Sequence, residues 1–110
     1  MPHSARKLLL DISISCREII EFTEKKSLED LREDRLLQLA LEREFEIIGE
    51  ALSRLEGIER EKLEENIPDY RKIIGLRNVI AHGYDTIDDE AMWDFVENHV
   101  PGLMERVQNY

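Results

Sequence analysis

Apolar residues recur along this chain every three or four positions, the spacing that one face of an α-helix requires. Four long helices are predicted from this periodicity and its flanking signals: Ser4 to about Lys26, Ser27 to Gly57, Asp69 to about Gly83, and Asp88 onward through Pro101. The serine and aspartate residues at these starts are good N-caps, and proline restarts or kinks a helix. A short acidic segment, residues 59–65, adds one or two turns before Pro68.

This pattern predicts an all-α fold, an antiparallel four-helix bundle with one short extra helix, in a single domain spanning residues 1–110. Three prolines and five glycines leave few breaks, and 42% of the 110 residues are hydrophobic, which suits one buried core. Gly49 lies inside the second predicted helix, where glycine costs about 1 kcal/mol relative to alanine. We therefore expect another backbone to pack closely against Gly49.

The number of apolar residues also favours a homodimer. The first and last helices carry enough large apolar residues to fill the core of a bundle. We expect the region around Gly49 and the stripe Tyr70, Ile74, Arg77 and Ala81 to be left for a partner subunit.

Charge narrows the range of functions. The chain has 25 acidic and 15 basic residues, a formal charge of -10, which argues against broad binding to nucleic acid or anionic membranes. Residues 69–84 are nonetheless basic, so a local phosphate site stays open. No apolar run is long enough to span a membrane. Since Cys16 is the single cysteine, it cannot form an internal disulfide. We expect a cytoplasmic protein with no membrane contact, in which Cys16 is a small buried residue.

Most known catalytic motifs are absent from the sequence. It contains no glycine-rich phosphate loop, no zinc-binding His-Glu-x-x-His helix and no Gly-x-Ser-x-Gly elbow. The three histidines are scattered, and the ladder Glu42, Glu46 and Glu50 lacks the Glu-x-x-His partners of a di-iron site. We expect the ladder to be a solvated or interface face, and we expect no metal and no cofactor.

Residues 77–84 concentrate the candidate chemistry. They include the guanidinium of Arg77, the imidazole of His82 and the phenol of Tyr84, near the predicted end of a helix. Cleavage of RNA without a metal needs a base for the 2'-hydroxyl and a cation for the phosphorane, roles that suit histidine and arginine. On a continuous helix the two residues would lie roughly 140° apart. A compact site can then form in two ways. Either the helix ends at Ala81 or His82, so that the imidazole turns toward Arg77, or a second arginine and histidine come from another subunit across a twofold axis.

The same residues also fit a purely structural interpretation. His82 could cap the C-terminus of a helix, and Arg77 could pair with a nearby glutamate. The Arg-x4-His spacing alone is a weak signal in a chain that is rich in arginine.

Three blocks in the same order resemble the HepT-like branch of the HEPN superfamily. The blocks read LEREFEIIGEA at residues 41–51, IP at 67–68 followed by YRKIIGLRNVIAHGY at 70–84, and MWDF at 92–95 with VPGL at 100–103. The second block contains that branch's Arg-x4-His-x-Tyr signature with its usual flanks. Together the blocks cover nearly the whole chain, which makes the resemblance much more specific than the short motif.

The resemblance implies a HEPN-like helical ribonuclease toxin that dimerises, cleaves RNA without a metal and brings Arg77 and His82 from two subunits into one cleft. tRNA is a plausible substrate by family analogy. The resemblance implies a cognate nucleotidyltransferase antitoxin of the MNT type, which transfers AMP to Tyr84. Asn78 is an auxiliary candidate for a phosphate contact. Because some HEPN proteins have lost cleavage, the alternative is a non-catalytic helical dimer that binds a nucleotidyltransferase, a nucleotide or both.

Overall fold

The fold consists of α-helices. A computed structural model of the protein describes residues 4–82 and 89–110, with the side chains of residues 78–82 outside the description. Six helices and no strands are present in these two ranges: α1 (Ala5–Thr23), α2 (Leu28–Glu33), α3 (Arg35–Asn66), α4 (Tyr70–His82), α5 (Asp89–Asn98) and α6 (Val100–Gln108). The predicted all-α class is therefore confirmed.

The predicted second helix is divided in two. Ser27 caps α2 as expected, and its backbone N–H donates in return to the Asp30 carboxylate at 2.8 Å. However, α2 ends after six residues, because Asp34 adopts an extended conformation and its side chain accepts the N–H of Leu37 at 3.1 Å. This local hydrogen bond competes with the helix and starts α3. The prediction of one helix from residue 27 to 57 is wrong at this point.

Helix α3 extends beyond Gly57, the end predicted for the second helix. It includes the acidic segment that was expected as separate turns, and Glu59 forms a kink with φ -148° and ψ 63°. The phenol of Tyr110 donates to the Glu59 carboxylate at 2.6 Å, so the C-terminal residue packs against the kink. The helix ends at Asn66, immediately before the predicted interruption at residues 67–68.

The core lies where α3 packs against α1 and α4, and where α1 packs against α6. Its fully buried members include Ile12, Cys16, Ile19, Leu31, Leu41, Ile48, Leu52, Leu55, Leu63, Ile67, Met92 and Val100. Cys16 is 0% exposed, so its predicted role as a small buried residue is confirmed. Burial, followed by the nearby Glu44 carboxyl, raises the pKa of Cys16 to about 12. No helix within residues 4–82 and 89–110 has the length and apolar character needed to cross a membrane.

The face expected to be left for a partner is largely used inside this chain. Tyr70 is only 1% exposed, and its hydroxyl donates to Glu56 on α3 at 2.5 Å. Gly49 is also buried, directly against Arg77 of α4. The expected close approach at Gly49 is confirmed, but the approaching group is the Arg77 side chain of α4 in the same chain, where another backbone was predicted. The assignment of this surface to a partner subunit is therefore wrong for Gly49 and Tyr70.

Glu44 of α3 is a carboxyl group buried against α1. It is 6% exposed, and its Oε1 atom accepts no hydrogen bond from the described part of the chain. Burial, followed by the adjacent Glu18, raises the pKa of Glu44 to about 7, although Ser15 and Arg43 act in the opposite direction. Because this pKa lies above its ordinary value of 4.5, the folded protein binds the proton more tightly than the unfolded chain does.

This raised pKa predicts that Glu44→Gln stabilises the protein only at higher pH. The wild-type protein should lose stability as the pH rises from 4.5 to about 7, because the unfolded chain releases this proton in that range while the folded protein still holds it. Glutamine resembles the protonated carboxyl, so the gain should be about 1 kcal/mol at pH 8 and nearly absent at pH 5. Urea denaturation at both pH values measures it, with the exposed Glu21→Gln on α1 as control. An equal effect at both pH values would contradict the assignment.

Candidate functional site

A cleft of about 420 Å³ lies between α1, α3 and α4. Its charged lining residues are Asp11 from α1, Arg43, Glu46, Glu50 and Arg54 from α3, and Arg77 from α4. The arginines and carboxylates of this lining balance in charge, whereas the chain as a whole carries a formal charge of -10. Among the described side chains, which exclude that of His82, no group of three or more histidine, cysteine, aspartate or glutamate residues is arranged to hold a metal ion.

The side chain of Arg77 contacts α3 at Glu50 and at Gly49. Its Nη2 donates to Glu50 Oε2 at 2.9 Å, and its side chain is 27% exposed. Its aliphatic stem crosses Gly49, where an added Cβ would lie 2.5 Å from Arg77 Cγ. The missing side chain at Gly49 lets the Arg77 stem lie directly on α3, and Glu50 receives the charged end one residue further along.

Glu50 also binds a second arginine. Its Oε1 accepts from Arg54 Nε at 3.0 Å, so each carboxylate oxygen contacts a different guanidinium. From the sequence, Glu50 was expected to lie with Glu42 and Glu46 on a helix face that is solvated or forms an interface. Its side chain is indeed 43% exposed. However, no pattern in the sequence indicated that Glu50 is the residue that contacts Arg77. The predicted pairing of Arg77 with a nearby glutamate is confirmed, whereas the role of His82 as a helix cap stays a prediction.

For the other predicted site residues, the structure gives the helix position of Asn78 and His82 but not their side chains. Arg77, Asn78 and His82 belong to the single helix α4, so positions 77 and 82 are five residues apart along it, or roughly 140° around its axis. The side chains of Asn78 and His82 lie outside the described part of the chain, as does the whole of Tyr84. The roles assigned to these three residues stay predictions.

The fold and the cleft define a class of small helical protein with an arginine held where three helices meet. The family model described as "Ribonuclease HepT-like" matches residues 12–110. The chain therefore belongs to the HepT-like family of the HEPN superfamily. This confirms the family indicated by the three sequence blocks.

Two archaeal relatives are similar over almost their whole length. "Putative RNase MJ1380" of Methanocaldococcus jannaschii is 33% identical over 103 residues, which cover 94% of this chain and 93% of that protein. "Probable ribonuclease HepT" of Thermococcus cleftensis is 32% identical over 103 residues, which cover 94% and 92%. No solved structure matches the chain.

Proposed function

We propose that this protein is a metal-independent endoribonuclease toxin of a toxin–antitoxin pair, with Arg77 and His82 as its catalytic residues. The observation that carries the proposal is the placement of Arg77, whose guanidinium is held by Glu50 in the lining of the cleft. The helix that supplies Arg77 also carries the remainder of the Arg-x4-His motif. Membership of the HepT-like family and relatives named as ribonucleases support the same activity.

The chemistry requires one base and one cation. The His82 imidazole takes the proton of a ribose 2'-hydroxyl, and the 2'-oxygen attacks the adjacent phosphorus. The bond from phosphorus to the 5'-oxygen breaks, and the leaving oxygen takes up a proton from an imidazolium. Arg77 stabilises the extra negative charge on the phosphorane, because its planar fork matches two phosphate oxygens. The products are a 2',3'-cyclic phosphate and a 5'-hydroxyl.

The separation of positions 77 and 82 favours a site built by two subunits. Positions 77 and 82 lie roughly 140° apart around α4, and the proposed arrangement joins an arginine of one subunit to a histidine of the other. Because α4 is described as far as His82, a turn of the imidazole toward Arg77 of the same subunit is the alternative arrangement. The proposal is thus a homodimer with two Arg77–His82 pairs in one cleft. Because the net charge is -10, RNA binding is local and selective, and tRNA is a candidate substrate.

The proposed regulation acts on Tyr84. A nucleotidyltransferase antitoxin of the MNT type would let the Tyr84 oxygen attack the α-phosphorus of ATP, with loss of the phenolic proton and release of pyrophosphate. The attached AMP adds a negative charge and bulk two residues from His82, where substrate phosphate must approach. Asn78, the residue after Arg77, is proposed as an auxiliary phosphate contact.

Cleavage of total cellular RNA in the presence of EDTA tests the proposed function. The sample is the purified full-length protein, with its intact mass recorded to exclude modification of Tyr84 and its oligomeric state measured by light scattering. We expect cleavage by an unmodified dimer. If an unmodified dimer leaves RNA intact, the alternative of a non-catalytic module that binds a nucleotidyltransferase becomes the better account.

A further inference from the structure

We propose that Glu50 is a positioning residue that fixes the Arg77 guanidinium in the orientation needed to meet an RNA phosphate. This inference rests on the proposed function and adds to it a residue outside the Arg-x4-His motif. Glu50 acts through Arg77 and does not itself contact substrate.

The geometry restrains Arg77 at both ends of its side chain. Near the backbone, the stem lies against Gly49 with no space for a Cβ between them. At the other end, Nη2 donates to Glu50 Oε2 at 2.9 Å. An arginine without such restraints samples many rotamers, and each must be given up before phosphate can be bound in one geometry. The hydrogen bond to Glu50 joins two charged groups, which makes it roughly twice as strong as a neutral one.

The guanidinium chemistry is compatible with a carboxylate and a phosphate at the same time. A guanidinium carries five N–H donors in a fixed plane, and the contact with Glu50 Oε2 is made through Nη2. The Glu50 carboxylate on one edge of the guanidinium therefore fixes the direction in which the N–H groups of the other edges point. Glu50 is in turn held by Arg54 through its other oxygen, so its own position is restrained as well.

Positioning and simple electrostatics predict opposite effects of removing the charge of Glu50. A carboxylate near the path of RNA repels phosphate. If Glu50 had no positioning role, its charge could only slow the reaction, and Glu50→Gln would leave cleavage unchanged or improve it. A positioning residue predicts a loss of cleavage instead. The direction of the change in rate therefore separates the two roles.

Glu64 provides a closely matched control. It lies on the same helix, is 47% exposed against 43% for Glu50, and also contacts two arginines. One of these, Arg60, is four residues away on α3, and the other, Arg71, is on α4. Glu64→Gln therefore removes the same charge and also breaks an ion pair between α3 and α4, but it lies outside the lining of the cleft.

Steady-state cleavage of an RNA substrate by wild type, Glu50→Gln and Glu64→Gln tests the inference. We expect Glu50→Gln to lower kcat by roughly 10- to 100-fold, the usual effect of misplacing a catalytic group by about 1 Å, with a smaller change in KM. Glu64→Gln should stay within twofold of wild type. A kcat for Glu50→Gln that equals or exceeds that of Glu64→Gln would overturn the inference.

NMR of the Arg77 guanidinium tests positioning without any cleavage assay. In wild-type protein the Arg77 Nη groups should give separate signals, because the bond to Glu50 slows rotation of the fork, and Arg77→Lys assigns them by their loss. The signals should average in Glu50→Gln and remain separate in Glu64→Gln. Averaged Arg77 signals in the wild type, as expected for the 69% exposed Arg43, would overturn positioning even if a variant failed to fold. Separate wild-type signals in a protein that does not cleave RNA would instead overturn the proposed function alone.

Discussion

His82→Ala is expected to lower the rate of RNA cleavage by about 10²- to 10⁴-fold, the usual contribution of a general base. Arg77→Ala is expected to lower it by about 10²- to 10³-fold, because the phosphorane would lose a preorganised donor. The two losses should be far from additive, since both residues serve one transition state. Rates of cleavage of one RNA oligonucleotide by the two single variants and the double variant measure this.

The control for the charge removed with Arg77 is Arg60→Ala, whose side chain is 62% exposed and pairs with Glu64 away from the cleft. This variant should cleave at the wild-type rate. Binding of the cognate nucleotidyltransferase should survive in His82→Ala. A His82→Ala variant that has lost both toxicity and partner binding would favour the non-catalytic module, and one that cleaves at the wild-type rate would remove His82 from the mechanism.

Gly49→Ala is expected to destabilise the protein and to reduce cleavage about 100-fold. Alanine is the better helix former by about 1 kcal/mol. Its Cβ, however, would clash with Cβ of Arg77 and lie 2.5 Å from Cγ, close to the backbone of α4 where no flexible end can give way. Overpacking of this kind costs about 1–3 kcal/mol, and relief by separation of α3 and α4 would carry Arg77 away from Glu50.

Gly57→Ala is the matched control, because Gly57 lies on the same helix and a Cβ there would meet nothing within 4 Å. It should be neutral or stabilising by up to about 1 kcal/mol, and its cleavage rate should equal that of the wild type. Urea denaturation and cleavage assays of both variants provide the comparison. A Gly49→Ala protein that is as stable and active as Gly57→Ala would show that the contact between Gly49 and Arg77 is not needed.

Periodicity predicted the helical class well, but it did not locate every helix boundary. The expected first helix corresponds to α1, which begins after the Ser4 cap and ends at Thr23. The break at Asp34 was missed because the cap at Ser27 was joined to an apolar stripe that begins only at Leu37. The Asp34 side chain supplies a second, local cap that periodicity does not register. The kink at Glu59 lies within a run of charged residues that carries little pattern of either kind.

The sequence predicted which residues matter near the cleft better than it predicted what they contact. A glycine inside a helix correctly indicated a close approach at Gly49. It could not indicate that the approaching group is Arg77 of the same chain, because contacts between helices depend on their packing and Glu50 and Arg77 are 27 residues apart. The same limitation explains why the stripe containing Tyr70 was assigned to a partner, although Tyr70 is buried against α3.

The central claim is that this protein cleaves RNA by attack of a 2'-hydroxyl, without a metal. The most direct test uses a short RNA with one cleavage site, a copy with 2'-deoxyribose on the 5' side of that site, and wild-type protein in EDTA. Mass spectrometry of the products should show a 2',3'-cyclic phosphate and a 5'-hydroxyl from the RNA, and no cleavage of the deoxy copy. Products with 3'-hydroxyl ends, or cleavage of the deoxy copy, would contradict the account.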